Sequence, residues 1–296
     1  MPSVAANGLN LEYEIIGRED APPLLLIMGL GMQLVAWPDA FYAMLAEAGF
    51  RVIRFDNRDV GLSTKLDHLG APNVAFEFAK YMLHLPLKSS YYIDDMAHDT
   101  AELLAALNIK RAHIVGASMG GMIAQNMAAN FPQQVQSLTS IMSTTGRRSL
   151  PGPTWKARSA MLTPLARKGD IDAAVARMKK IFRTIGSPGY PEDEATFSYF
   201  CERHVRRDSY PPGFARQLLA VAASGDRTSV LERITAPTLV IHGEADPLLP
   251  AAAGIDSARV IPGASLSVIP GMGHDIPSGL HRRLVDEIVA HCRRSL

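Results

Sequence analysis

The chain is short of several things, and each shortage excludes something. Only two cysteines, Cys201 and Cys292, occur among its 296 residues. They lie far apart and in no metal-like spacing, which argues against a disulfide-knit scaffold and suits a reducing cytosol, with one bridge between them left open. No H-E-x-x-H or C-x-x-C pattern is present, so neither a metal nor an organic cofactor is expected. No apolar run approaches the ~18 residues of a membrane span. The opening "MPSVAANGLNLEYEIIG" has no basic n-region and no apolar h-region, so no signal peptide is expected and the cytoplasm is the expected compartment. The formal net charge of +1 gives no overall reason to expect nucleic acid. There are no repeats and no low-complexity tracts.

What is present is a rhythm of short apolar runs and helical spacings. "SVAANGLNLEYEIIG" reads as two strands joined at Asn7-Gly8, a hairpin turn signal. "PLLLIM" is a continuous apolar run, as in a strand buried on both faces. Residues 38–48 follow helical spacing, which Gly49 can end. "RVIRFD", "AHIVGA" and "VQSLTSIM" read as further strands. Between them, Ile93, Met96, Ala97, Thr100, Leu103, Leu104 and Leu107 mark one helix. Met119, Met122, Ile123 and Met127 mark another, which Pro132 stops. The pattern changes over residues 146–228, where helical stretches punctuated by prolines replace buried strands. Strands return at "TLVIHG" and "SLSVIP", and a last helix covers residues 277–292. Strands alternating with helices imply an α/β fold with a mostly parallel sheet covered on both faces. Residues 1–145 and 230–296 are assigned to its core. Residues 146–229 are read as a helical insertion over one edge.

Charge separates these parts. Residues 146–229 carry 15 Lys and Arg against 8 Asp and Glu, a net of +7, which leaves −6 for the rest. Solvated helix faces are the simplest reading; attraction of acidic substrates is a second.

The stretch "IVGASMGGMIA" carries the chemistry. A strand runs into a turn at Ser118 and out into a helix, with Gly116 and Gly120 two residues away on either side. A sharp turn leaves no room for side chains at those positions. G-x-S-x-G is the spacing of a serine hydroxyl exposed on a strained elbow, with the unpaired N–H groups of a helix N-terminus behind it. Serine needs a base. Among nine histidines, His274 is chosen because "PGMGHDIP" is a loop at the carboxyl end of a strand. His242 ends a strand and His113 lies inside one, so both are read as packing. The base needs a carboxylate. Asp246 in "IHGEADPLLP" follows the preceding strand, Glu244 is a rival on the same loop, and Asp275 adjoins His274. The turn in "LLLIMGLGMQ" can bring a backbone N–H near Ser118. It is no dinucleotide loop, since Leu34 stands where G-x-G-x-x-G needs glycine.

The order Ser118, Asp246, His274, each just past a strand, is that of the α/β-hydrolases, and nearly the whole chain resembles them. "WPDAFYAMLAEAGFRVIRFDNRDVGLST" and "IVGASMGGMIAQNMA" are more narrowly similar to the aclacinomycin methylesterase-like group of bacterial carboxylesterases. The resemblance implies Ser118 as nucleophile, Asp246 as acid and His274 as base. It also implies oxyanion N–H groups from Leu30 and Met119, and a helical cap at residues 146–229. One departure is that many members have His-Gly where this chain has Met28-Gly29.

The expected activity is hydrolysis of carboxylic esters through an acyl-enzyme. A cofactor-free perhydrolase or haloperoxidase, a C–C bond hydrolase, and a binding receptor with little turnover are the alternatives. A dehalogenase is disfavoured, since its nucleophile would be aspartate. The expected partner is a small-molecule ester, with no nucleic acid and no membrane, and a homo-oligomer stays open. Trp155, Met161, Leu162, Phe182, Phe197, Tyr199, Phe200 and Phe214 exceed what a surface loop needs. Some are expected to pack the insertion on the core and some to line a pocket.

Overall fold

The computed structural model describes residues 2–164, 166–167 and 169–295. Apolar alternation builds its sheet. In β3 (Pro23–Ile27), Leu25 and Ile27 join one hydrophobic cluster, and Leu24 and Leu26 join a second on the other face. In β4 (Arg51–Phe55), Ile53 and Phe55 join the first and Val52 the second. This is the period of two that a strand buried on both faces requires. Helices Ile93–Ala106 and Met119–Asn130 close the first cluster. Helices Asp39–Glu47 and His281–Arg293 close the second.

The remaining strands are β1 (Ser3–Ala6), β2 (Leu9–Ile16), β5 (Ala112–Ala117), β6 (Val135–Ile141), β7 (Thr238–Gly243) and β8 (Ser265–Ile269). All eight form one sheet in the order β1-β2-β4-β3-β5-β6-β7-β8. The hairpin β1–β2 turns through Asn7 at φ 48° and Gly8 at φ 74°, both positive as a two-residue turn of this hand demands. β2 runs antiparallel to β4, and every later pairing is parallel. Two helices were not anticipated, Val74–Met82 and Ala252–Val260. In the first, Val74, Phe76 and Phe78 alternate with smaller or charged residues and imitate a strand. The second is interrupted by Gly254, where a Cβ would come within 2.4 Å of the His242 ring.

Between β6 and β7 the described residues hold helices Trp155–Met161, Ile171–Ile185, Glu194–Arg207, Pro211–Ser224 and Thr228–Leu231, and no strand. The expectation that this insertion covers an edge is corrected. β6 is an interior strand flanked by β5 and β7, so the chain leaves and re-enters the sheet near its middle. The insertion lies over the carboxyl ends of the central strands.

Ion pairs fasten it there. Arg207 reaches Asp56 at 2.7 Å and Arg216 reaches Asp59 at 2.7 Å, with all four side chains buried or nearly so. Arg203 pairs with Asp39 at 2.6 Å on the surface. Part of the basic excess of the insertion thus faces acidic residues of the core, rather than solvent. Cys201 and Cys292 are buried and unbridged. Among the described residues no helix is long and apolar enough to cross a membrane.

Candidate active site

Ser118 sits at φ 57°, ψ −119°, a conformation that costs an L-residue about 1–3 kcal/mol and persists only where its surroundings enforce it. They do so through four bonds. Its amide donates to the Ile141 carbonyl at 2.9 Å, and its own carbonyl accepts from the Gly121 amide and the Ser143 hydroxyl, each at 2.9 Å, and from the Met122 amide at 3.2 Å. The flanking glycines answer to contact. A Cβ at Gly116 would lie 2.1 Å from the Gly120 carbonyl oxygen, and one at Gly120 would lie 2.0 Å from that of Ile27. The helix can therefore press against β3 and β5 only without side chains there.

Two loops bring the partners. His274 Nδ1 donates to Asp246 Oδ2 at 2.6 Å. That bond leaves Nε2 as an acceptor, 2.9 Å from Ser118 Oγ. The other carboxylate oxygen of Asp246 accepts from the amides of Leu248 and Leu249, both at 2.8 Å, and the side chain is fully buried. The structure thus brings Ser118, His274 and Asp246 together. It leaves out the rivals: Glu244 is exposed, and Asp275 accepts from the Ser187 hydroxyl. His242 donates through Nε2 to the Leu249 carbonyl at 2.7 Å and stands 3.6 Å from Asp246. Burial holds its pKa below the usual histidine range. His113 is tied to Ser137 within the sheet, and burial pushes its pKa down to about 4.

The turn after β3 lies against the elbow. A Cβ at Gly29 would be 3.1 Å from the Ser118 Cβ. Gly31 N–H donates to Gln217 Oε1 at 2.8 Å, and Asn57 Nδ2 donates to the Met28 carbonyl at 3.0 Å. The amides of Leu30 and Met119 make no hydrogen bond among the described residues. Met28 is buried and lines the same cavity as Ser118. Asn57 and Gln217 escaped sequence reasoning, because nothing local marks a side chain whose partner is a distant backbone group.

The cavity holds about 550 Å³ and opens onto Ser118 and His274. Six of the eight large insertion residues singled out by sequence line it: Met161, Phe182, Phe197, Tyr199, Phe200 and Phe214. Trp155 and Leu162 instead point to solvent, 80% and 56% exposed. The insertion also holds the histidine loop. The His274 amide donates to the Ile185 carbonyl at 2.7 Å, and the Gly273 amide to the Ser187 hydroxyl at 2.8 Å.

A strand-order sheet of this kind, with a serine elbow facing a histidine and an aspartate, defines a class. Residues 22–277 match the alpha/beta hydrolase fold family, and the chain belongs to it. Among curated relatives it is 29% identical to rhodomycin D methylesterase DauP of Streptomyces sp. (strain C5), over 98% of this chain and 97% of that one. It is also 29% identical to rhodomycin D methylesterase DnrP of Streptomyces peucetius, over 96% of this chain and 95% of that one. Both agree with the methylesterase resemblance in the sequence. An enol-lactonase from Burkholderia xenovorans LB400 shares the fold with a TM-score of 0.74, at 24% identity, over 99% of this chain and 100% of that one.

Proposed function

We propose that this protein is a serine hydrolase that cleaves carboxylic esters through an acyl-enzyme. The observation that carries the reading is the Ser118–His274–Asp246 relay, 2.9 and 2.6 Å in its two links, with Ser118 and His274 in the floor of an apolar cavity. Ser118 Oγ attacks the ester carbonyl while His274 Nε2 takes its proton. The carbonyl oxygen becomes an oxyanion, which the amides of Leu30 and Met119 receive. Removal of one such donor typically costs about 3 kcal/mol of transition-state stabilisation. His274 then gives its proton to the departing alkoxide, and the alcohol leaves. Water, deprotonated by the same nitrogen, attacks the acyl-serine and releases the acid. Asp246 holds the tautomer and stabilises the imidazolium throughout.

Residues 146–229 act as the cap over a core of residues 1–145 and 230–296, and their side chains choose the substrate. A cavity of this size and apolar character suits a small organic ester. The methylesterase relatives favour a methyl ester among such substrates. The free buried thiols of Cys201 and Cys292 suit a reducing compartment, and we assign the cytoplasm. The test is a screen of methyl, short-chain and medium-chain esters beside Ser118→Ala. Turnover by the wild type and its loss in the variant are expected. Tight binding without turnover would replace the enzyme with a receptor.

A further inference from the structure

Arg177, on helix Ile171–Ile185, lines the same cavity as Ser118. The other charged groups of that lining are already engaged. Asp39 holds Arg203 and Arg54, and Asp208 holds Lys65. Asp275 accepts from Ser187, and Glu192 accepts from the amide and hydroxyl of Ser278. Arg177 is the one arginine or lysine of the described lining that has no acidic partner among the described residues.

Its orientation is nevertheless fixed. Nε donates to the Thr163 carbonyl at 3.1 Å, and the guanidinium carbon stands 5.5 Å from the centre of the Phe214 ring. Those contacts leave the Nη1–Nη2 edge without a hydrogen bond among the described residues. Phe214 packs in turn on Gly31, where a Cβ would come within 2.5 Å of the ring. Gly31 follows Leu30, the proposed oxyanion donor. The arginine therefore stands across one phenyl ring from the turn that carries Leu30, in a lining that includes several methionine, isoleucine and phenylalanine side chains. Burial holds its pKa below the usual arginine range, and no acidic neighbour opposes that shift. Arginine stays charged even so, and a desolvated cation without a counter-ion is costly.

We propose that Arg177 binds a carboxylate on the substrate, separated from the scissile ester by an apolar spacer. The free edge of the guanidinium offers two parallel N–H donors, which match the two oxygens of a planar carboxylate. The substrate class is then a carboxyl-bearing ester, such as the half-ester of a dicarboxylic acid. This refines the ester-hydrolase reading and rests on it.

The experiment compares monomethyl adipate, suberate and sebacate with the methyl esters of the corresponding monoamides. For at least one length, wild-type kcat/KM should favour the carboxylate by about tenfold or more. Arg177→Gln should erase that ratio, chiefly through KM, and Arg177→Lys should keep part of it. Lys180→Gln, the same charge change on the exposed side of that helix, should preserve it. Equal wild-type rates at every length, or a ratio that survives Arg177→Gln, would overturn the proposal while leaving the ester reading intact. Where no ester is turned over, calorimetric titration with sebacate decides. Binding to wild type but not to Arg177→Gln would keep the anion site and sink the ester reading. No binding to wild type, or equal binding to both, would sink the site.

Discussion

The floor of the cavity and its roof are held by different physics. Around Ser118 the sheet carries clusters of 30 and 24 buried apolar residues on its two faces, and the elbow is pressed so tightly that glycine is the one residue accepted on either side. Among the described residues the insertion has two small clusters of its own, of four buried residues each, so it depends on its ties to the floor. Those ties are the arginine–aspartate pairs on one side, hydrogen bonds from residues 185–187 to the histidine loop on the other, and a few apolar contacts such as Ala220 and Phe200 on the core clusters. The positions of the reacting atoms are thus set by parts with no freedom to vary. The shape around the substrate is set by side chains that can be exchanged.

The largest effects should come from the floor. His274→Ala and Asp246→Asn should each lower kcat/KM by about a thousandfold or more, whereas Glu244→Gln should stay within about twofold. Comparable losses at Glu244 and Asp246 would mean that the acid has been misplaced. Next come the ties between floor and roof. Arg216→Met leaves the Asp59 carboxylate buried without its cation and should cost about 3–5 kcal/mol in urea unfolding. Arg203→Met, at an exposed pair, should cost less than about 1 kcal/mol. Equal costs would show that burial of the pair does not matter.

Acid should weaken both parts. Burial pushes the pKa of His113 in the floor and His204 in the roof down to about 4. An unfolded histidine protonates near ~6.5, so below that pH the unfolded chain takes up protons that the folded one refuses. Stability should be full above pH ~6.5 and fall as pH drops toward 4, by on the order of 1–2 kcal/mol per histidine at about pH 5. Urea midpoints across that range check this, and His204→Gln should flatten part of the slope. A level profile would contradict the neutral, buried state of these rings. The smallest effect concerns selectivity alone. Phe200 lines the cavity and stands edge-on to Phe182 at 5.3 Å. Phe200→Ala should change the preference between short and medium acyl chains by roughly tenfold or less, and Trp155→Ala should leave it alone. Equal selectivity in both variants would deny the roof its role.

The floor was legible in the sequence because its signals are local. Runs such as "PLLLIM" announce strands by apolarity, and the small residues around Ser118 announce a turn by crowding. Ser118, Asp246 and His274, which the structure brings together, stood out in the sequence because each lies within a few residues of a strand's end. The roof was less legible, since its organising contacts join residues far apart. Arg216 and Asp59 are separated by 157 positions, and neither stands in a recognisable pattern. Its basic excess was visible as composition, but the acidic core residues that it meets were not. The same holds for Gln217 and Asn57, which brace the turn at Leu30. Alternating phenylalanines hid the helix Val74–Met82, because their spacing matches a strand until neighbouring structure decides otherwise.

The most direct test of the central claim is labelling with a fluorophosphonate probe followed by peptide mass spectrometry. The account expects one labelled serine, Ser118, with labelling lost in Ser118→Ala and much reduced in His274→Ala, since the serine is reactive only beside its base. A label on another serine, or undiminished labelling without His274, would contradict it.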